Sequence, residues 1–401
     1  MPEDTYDYVI VGAGLAGTSA AEGIREGDAA GSILIIGQEK HLPYDRPPLS
    51  KKLWFGQKKV QDIFLHEEVF YAEKKVDLAL GVEAVGVDAA AKAVVDSRGN
   101  EYRYRKLLLA TGGKPRTLHL SGGDPEGVCY YRYLDDYLKV RAEAWEGRSA
   151  LVIGGGFIGS EMAAALNLNH LQVTMVFPEQ YLCARVFPQG LGEAMQANYR
   201  ERGVGIVAGD APVSLSRRED KFVTRTRNGK QIEADIVVVG IGIAPCVGLA
   251  EGAGLAVENG MVVNEHLQTS NPDIYAAGDN AFFPYQALGE RVRIEHWDNA
   301  LNQGKQAGRN MAGANEPFTY MPYFFSDLFE FGYEAVGDVN ASLETFADWQ
   351  QENDTGVIYY LKEDKVRGAM MCNVWDKVEA ARELIRKGER MTPEQLRGAI
   401  G

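Results

Sequence analysis

The chain has 401 residues, a net charge of −14, 45% apolar and 24% charged residues, a length that suggests two or three domains of ordinary size. Overall acidity argues against a general nucleic-acid binder, which needs a basic face, and the apolar share argues against a disordered chain. No apolar run approaches the roughly 20 residues that span a bilayer, so no membrane segment is expected.

Met1–Asp7 is acidic and runs straight into an apolar strand, without the features of an export signal, so a cytoplasmic location is the expectation. Tyr6–Val11 reads as a buried strand that stops at Gly12-Ala13-Gly14-Leu15-Ala16-Gly17. The Ala-rich stretch Thr18–Ile24 predicts a helix and Ile33–Ile36 a second strand, completing a βαβ unit. The same order returns about 140 residues later: strand Ala150–Ile153, the turn Gly154-Gly155-Gly156-Phe157-Ile158-Gly159, helix Ser160–Leu168 and strand Val173–Phe177. Two such units predict two dinucleotide-binding domains. From Phe318 the pattern changes. Aromatic-rich segments (Tyr323–Phe325, Tyr359–Leu361, Met370–Trp375) precede a charged helix near Asp376, which predicts a third, α+β domain. The four cysteines, Cys129, Cys183, Cys246 and Cys372, form no close pair. A zinc site, a disulfide framework and a local redox dithiol are therefore not expected.

In each Gly-rich turn the first glycine permits the tight bend, the second lets backbone approach a pyrophosphate, and the third lets helix pack on strand. The helix N-terminus then offers unpaired N–H groups to phosphate oxygens. One chain with two such sites most simply holds a flavin and a nicotinamide, whose pairing gives hydride transfer. Each fold normally places a carboxylate after its second strand, where it accepts hydrogen bonds from the ribose. In the second unit that residue is Glu179, which would repel a 2′-phosphate and favour NADH over NADPH, with Arg185 nearby. In the first unit, Gln38 and Glu39 both remain candidates. A cation near the flavin favours its reduced, anionic form, and a carboxylate partner fixes that cation.

Asp45-Arg46-Pro47-Pro48-Leu49-Ser50-Lys51, Ala110-Thr111-Gly112-Gly113 and Tyr275-Ala276-Ala277-Gly278-Asp279 resemble the FAD motifs of one flavoprotein group. That group comprises the oxygenase-coupled, NADH-dependent ferredoxin reductases together with apoptosis-inducing factor. The likeness runs from about Tyr6 to about Arg390. It implies two Rossmann-like domains of the glutathione-reductase type: an FAD domain (1–115 and 245–317) split by an NAD domain (116–244), followed by an interface domain (318–401). It implies that Gly12, Gly14, Leu15, Ala16 and Gly17 line the FAD, with Gln38 or Glu39 at its ribose. Arg46, Ala110, Thr111, Gly112 and Arg116 would lie along the same cofactor, and Gly278 and Asp279 at its ribityl chain. Glu295, His296, Trp297 and Phe325 complete that set. Lys51 would sit beside flavin N5 paired with Glu161, and Lys51, Glu161, His296 and Trp297 are the implied catalytic residues. Gly154, Gly156, Phe157, Ile158, Gly159, Glu161, Glu179, Gly240, Gly242 and Glu334 would hold NAD.

Some positions depart from the group's pattern. Glu295-His296 resembles apoptosis-inducing factor, whereas Trp297 resembles the reductases; Phe325 stands where both branches usually show Trp. The Gly332–Gly337 stretch also looks like apoptosis-inducing factor, yet Gly337 and Asp354 are only 17 positions apart, too close for that protein's long insertion. Arg46–Lys59 carries five basic residues and no acidic one, a window that could steer an acidic carrier. The expected function is an FAD enzyme taking hydride from NADH and passing electrons singly to an iron–sulfur carrier such as a ferredoxin. The alternatives are an NADH redox sensor with slow turnover, or a reductase of rubredoxin, a quinone or a small radical. A homodimer remains an option.

Overall fold

The β-branched run that precedes the first Gly-rich turn forms the strand Asp4–Val11, and Tyr8, Val9, Ile10 and Val11 are all buried. Apolar side chains at consecutive positions suit a strand covered on both faces. The computed structural model describes residues 4–120 and 123–400. The chain divides into two units: Met1–Asp45, Val60–Lys114 and Ala244–Pro322 form the first, and Arg46–Lys59, Pro115–Ile243 and Tyr323–Gly401 the second.

In the first unit Asp4–Val11 pairs in parallel with Ile33–Gly37 on one side and Glu101–Leu109 on the other. Val76–Leu80 extends the sheet beyond Ile33–Gly37, and Ile274–Ala276 joins Glu101–Leu109, both in parallel. The helix Leu15–Gly27 crosses between the first two strands and packs on a second helix, Trp297–Met311. Glycines set that approach. A Cβ on Gly304 would lie 2.2 Å from the Ala16 carbonyl oxygen, and one on Gly308 2.0 Å from that of Ala20. The contacts step in the same direction along both helices, so the helices run parallel and their N-termini share one end.

In the second unit Gly205–Ala208, Gln172–Phe177, Ser149–Ile153, Ile236–Val239 and Cys129–Tyr130 form, in that order, an all-parallel sheet. A three-stranded antiparallel sheet (Pro212–Arg218, Lys221–Thr226, Gln231–Ala234) closes one core through Leu215, Phe222 and Ile232 against Leu151, Ile153 and Val237. The C-terminal part is a five-stranded antiparallel sheet from Tyr323–Leu328 to Lys365–Cys372, followed by the helix Val378–Lys387.

Both Gly-rich helices start earlier than apolar periodicity indicates, at Leu15 and Phe157, directly after Gly14 and Gly156. Those glycines are the N-caps, and the third glycine of each motif lies inside the helix. Asn373–Trp375 falls outside the last strand, which ends at Cys372. The first unit runs to Pro322; within it Phe318 packs against Phe283 at 5.6 Å and its N–H donates to the Glu265 carbonyl. Cys129, Cys183, Cys246 and Cys372 are all free, and among the described residues no helix is long and apolar enough to cross a membrane.

Candidate functional site

The two Gly-rich turns can be compared atom by atom. Gly12 and Gly154 have φ of +123° and +120°, and a Cβ would lie 2.1 Å from the Ala110 oxygen or 2.3 Å from the Gly240 oxygen. A Cβ on Gly17 or Gly159 would come within 2.0 Å of the Gly12 or Gly154 oxygen. These four positions accept no side chain. Gly14 and Gly156 differ: a Cβ there would meet nothing within 4 Å, and neither N-cap supplies a side-chain hydrogen bond to its helix. Each turn thus presents bare backbone and unsatisfied helix N–H groups to a cradle that a side chain would fill, which fits a pyrophosphate. Leu15, Ala16, Phe157 and Ile158 form the first turns of these helices.

The equivalence extends past the end of each second strand. Gly12 N–H donates to Ile36 O and Gly154 N–H to Val176 O, at 2.8 and 2.9 Å. Gly81 N–H donates to Glu39 O and Gly209 N–H to Glu179 O, at 2.9 and 2.8 Å. Glu39 and Glu179 therefore occupy the same place in the two folds, three residues past the strand residue that anchors the turn. Gln38 matches Pro178 and is exposed. Glu39 also accepts from Tyr44 Oη.

Around the first turn, Ala110 N–H donates to Val11 O at 2.8 Å. Thr111 Oγ1 donates to Cys246 O at 2.6 Å and accepts from Asn280 Nδ2 at 2.9 Å. Gly112 and Gly278 turn with φ of +60° and +88°, and Gly278 N–H is held by Gln303 Oε1 at 2.9 Å. Asp279 follows, its carbonyl accepting from Arg293 Nη1, while Glu295 pairs with the same arginine. His296 is the N-cap of the helix Trp297–Met311. It is half-buried, and burial pushes the imidazole down to about 4, against the opposing pull of Asp279. Trp297 Nε1 donates to Asp45 Oδ1 at 2.7 Å.

In the second unit Lys51 Nζ lies 2.7 Å from Glu161 Oε1, with side chains only 9% and 5% exposed. Glu161 also accepts from Ser50 Oγ at Oε2 and from Ser326 Oγ at Oε1, both at 2.5 Å. A buried carboxylate of this kind is held by its charge partner and two hydroxyls. Phe325 is exposed, and Lys51 Nζ stands 5.5 Å from its ring centroid. Its strand neighbour Glu334 has a buried Oε2 without a hydrogen-bond partner, and burial raises the carboxyl above its ordinary range, Asp376 adding to the rise. Gly240 approaches Gly159 N within 3.0 Å of its would-be Cβ, and Gly242 turns at φ +92°. Arg46 and Arg116 lie in this unit as well: Arg46 Nη1 donates to Arg132 O at 2.9 Å, and Arg116 Nε to Ile243 O at 3.1 Å.

Sequence reasoning missed Ser50, Ser326, Asn280 and Gln303. Three of them adjoin residues that it did single out (Lys51, Phe325, Asp279). Gln303 carries no local signal, since only the helix packing brings it to Gly278.

The family model described as pyridine nucleotide-disulphide oxidoreductase matches residues 6–304, and one described as apoptosis-inducing factor, mitochondrion-associated, C-term, matches 307–355. The chain is 33% identical over 396 residues to a monodehydroascorbate reductase of Solanum lycopersicum, covering 92% of each. It is 34% identical to the anthranilate 1,2-dioxygenase system ferredoxin–NAD(+) reductase component of Burkholderia cepacia, covering 97% of this chain and 96% of that one. Among solved structures it is similar to the covalent putidaredoxin reductase–putidaredoxin complex, with a TM-score of 0.91 and 31% identity over 98% of this chain and 95% of that one.

Proposed function

This chain belongs to the pyridine nucleotide-disulphide oxidoreductase family, and on that premise we propose that it is an FAD-dependent NADH reductase of a small iron–sulfur protein. The observation that carries the reading is the pair of matching Gly-rich turns, each with a carboxylate three residues past the strand residue that anchors it, in a chain whose cysteines include no close pair. A disulfide substrate route has no dithiol to use. A bound flavin supplies the change from a two-electron donor to a one-electron acceptor.

The chain's own residues bind, orient and set charge. Gly12, Gly14 and Gly17 with the Leu15–Gly27 N-terminus hold the FAD pyrophosphate, Glu39 its ribose, and Thr111, Gly112, Gly278 and Asp279 the remainder. Glu295, His296 and Trp297 cap and open the helix that runs parallel to Leu15–Gly27. Gly154, Gly156 and Gly159 hold the NADH pyrophosphate and Glu179 its ribose. Lys51, fixed by Glu161, is the cation that stabilises the reduced cofactor; Arg46, Arg116 and Phe325 support the flavin, and Gly240, Gly242 and Glu334 the nicotinamide nucleotide. Lys52 and Lys59 are exposed beside exposed Phe55, a surface suited to an acidic carrier. We place the protein in the cytoplasm, with a homodimer compatible with this reading.

Two substitutions separate the cofactor sites. Gly14→Asp meets no atom at Cβ, so the chain folds, but its carboxylate takes the pyrophosphate position and the purified protein is expected to be colourless. Gly156→Asp is expected to stay yellow, with one FAD per chain, and to raise the KM for NADH by about 100-fold or more, the cost of placing like charge against phosphate. Absorbance at 450 nm and steady-state kinetics read both. A yellow Gly14→Asp protein would remove the first turn from the FAD site.

The acceptor is tested by stopped flow. NADH is expected to bleach the flavin, and an acidic [2Fe–2S] ferredoxin to re-oxidise it at least tenfold faster than air, with salt slowing the second step. The second reading, a slow NADH sensor, is favoured by the match of 307–355 to the apoptosis-inducing factor model. It predicts a reduced protein that persists with every iron–sulfur carrier and sediments differently with NADH. Rapid re-oxidation by an organic radical instead would follow the monodehydroascorbate reductase likeness; rubredoxin and quinone complete the panel.

A further inference from the structure

Lys51 follows a short proline-led turn, Pro47–Ser50, and leaves it with φ −136° and ψ −101°, neither helical nor extended. Prolines at 47 and 48 offer no N–H of their own, so other groups must fix this turn. The Leu49 carbonyl, immediately before Ser50 and Lys51, accepts two side-chain hydrogen bonds: Trp54 Nε1 at 2.8 Å and Tyr131 Oη at 2.5 Å. Both lone pairs of a buried oxygen are thereby used. Trp54 and Tyr131 are 4% and 5% exposed, and they touch each other at 3.1 Å through Nε1 and Oη. Burial holds the Tyr131 phenol well above its ordinary range, so it stays a donor. Tyr137 meets the Trp54 ring edge-on at 5.4 Å, and the Arg141 guanidinium lies 5.6 Å from it.

The Trp54 backbone is tied as well. Its carbonyl accepts from Asn169 Nδ2 at 3.1 Å, and Asn169 is the C-cap of the helix Phe157–Leu168 that carries Glu161. The segment is therefore joined to one helix at two levels, through Ser50 and Lys51 on Glu161 and through Trp54 on Asn169. Just ahead of the first of these points, the Leu49 carbonyl is the part of the turn that the two aromatic donors grip.

We propose that Trp54 and Tyr131 are positioning residues for Lys51, gripping the Leu49 carbonyl so that Ser50 Oγ and Lys51 Nζ both reach the Glu161 carboxylate. Both are buried and act through the backbone of the turn. The positional claim stands on the geometry alone; its effect on rate rests on the NADH–flavin reading above.

The test uses the full-length protein. Tyr131→Phe removes one donor and keeps the ring; Trp54→Phe removes the other; the double variant leaves the buried carbonyl without either. Amine labelling followed by peptide mass spectrometry compares Lys51 with exposed Lys52 in the same molecule. The Lys51:Lys52 labelling ratio is expected to rise about fivefold in Tyr131→Phe, as expected for losing one hydrogen bond, and further in the double variant. The rate constant for flavin reduction by NADH is expected to fall about fivefold, and this loss to vanish in a Lys51→Ala background. An unchanged labelling ratio overturns the proposal and leaves the functional reading intact. Equal rate losses with and without Lys51 overturn it too, because the aromatic pair then acts elsewhere. A raised ratio in a protein whose flavin NADH never reduces supports the clamp and overturns the reading.

Discussion

Lys51→Ala is expected to bind FAD normally and to be reduced by NADH about 100-fold more slowly, the loss typical of removing one oriented charge from a dry site. The side chain that disappears is 9% exposed and pairs with a carboxylate that is 5% exposed. Such a charge is screened far less than one at the surface. Its loss should also lower the flavin reduction potential, since the reduced anion loses a stabilising cation. Glu161→Gln is the companion variant: it can keep hydrogen bonds to Ser50 and Ser326 but cannot hold the lysine by charge. Its rate is expected to lie between wild type and Lys51→Ala. Stopped-flow reduction and dye-coupled potentiometry give both quantities. A Lys51→Ala protein with wild-type rate and potential would take this lysine out of the reaction.

NADH is expected to be preferred over NADPH by at least tenfold in kcat/KM, or about 1.4 kcal/mol, and Glu179→Arg is expected to reverse that order. Glu179 follows the strand Gln172–Phe177 at the place where a ribose-binding carboxylate belongs. A carboxylate there accepts from two ribose hydroxyls and repels a 2′-phosphate; a guanidinium does the opposite. Because Gly209 N–H holds the Glu179 carbonyl, the backbone position is independent of the side chain and the variant should fold. Glu39→Arg provides the contrast, since it should impair FAD retention and leave the nucleotide ratio alone. Equal kcat/KM for the two nucleotides in wild type would show that Glu179 does not face the ribose.

The two nucleotide folds were legible in the sequence because their causes are local. A β-branched run, three glycines at fixed spacing and an Ala-rich helix are written within 25 residues, and the steric demands at Gly12, Gly17, Gly154 and Gly159 leave no other residue type. The place of Glu179 just past its strand could be counted from the turn. Glu39 was not separable from Gln38 by counting, because the strand end that fixes the count is set by cross-strand hydrogen bonds: Gly81 to Glu39 repeats Gly209 to Glu179. The Lys51–Glu161 pair was suggested by resemblance alone, as 110 residues separate its members. Ser50, Ser326 and the Trp54–Tyr131 grip on Leu49 could come only from the folded chain. Their contacts join a proline turn, a helix, the residue that follows a parallel strand and an antiparallel strand, all far apart in sequence. Motif and periodicity therefore determined which chemistry the chain is built for, because short-range sterics select those residues. Tertiary packing decided which residue of the first fold stands where Glu179 stands in the second and what holds the lysine, because those choices are made by groups that meet only after the sheets have closed.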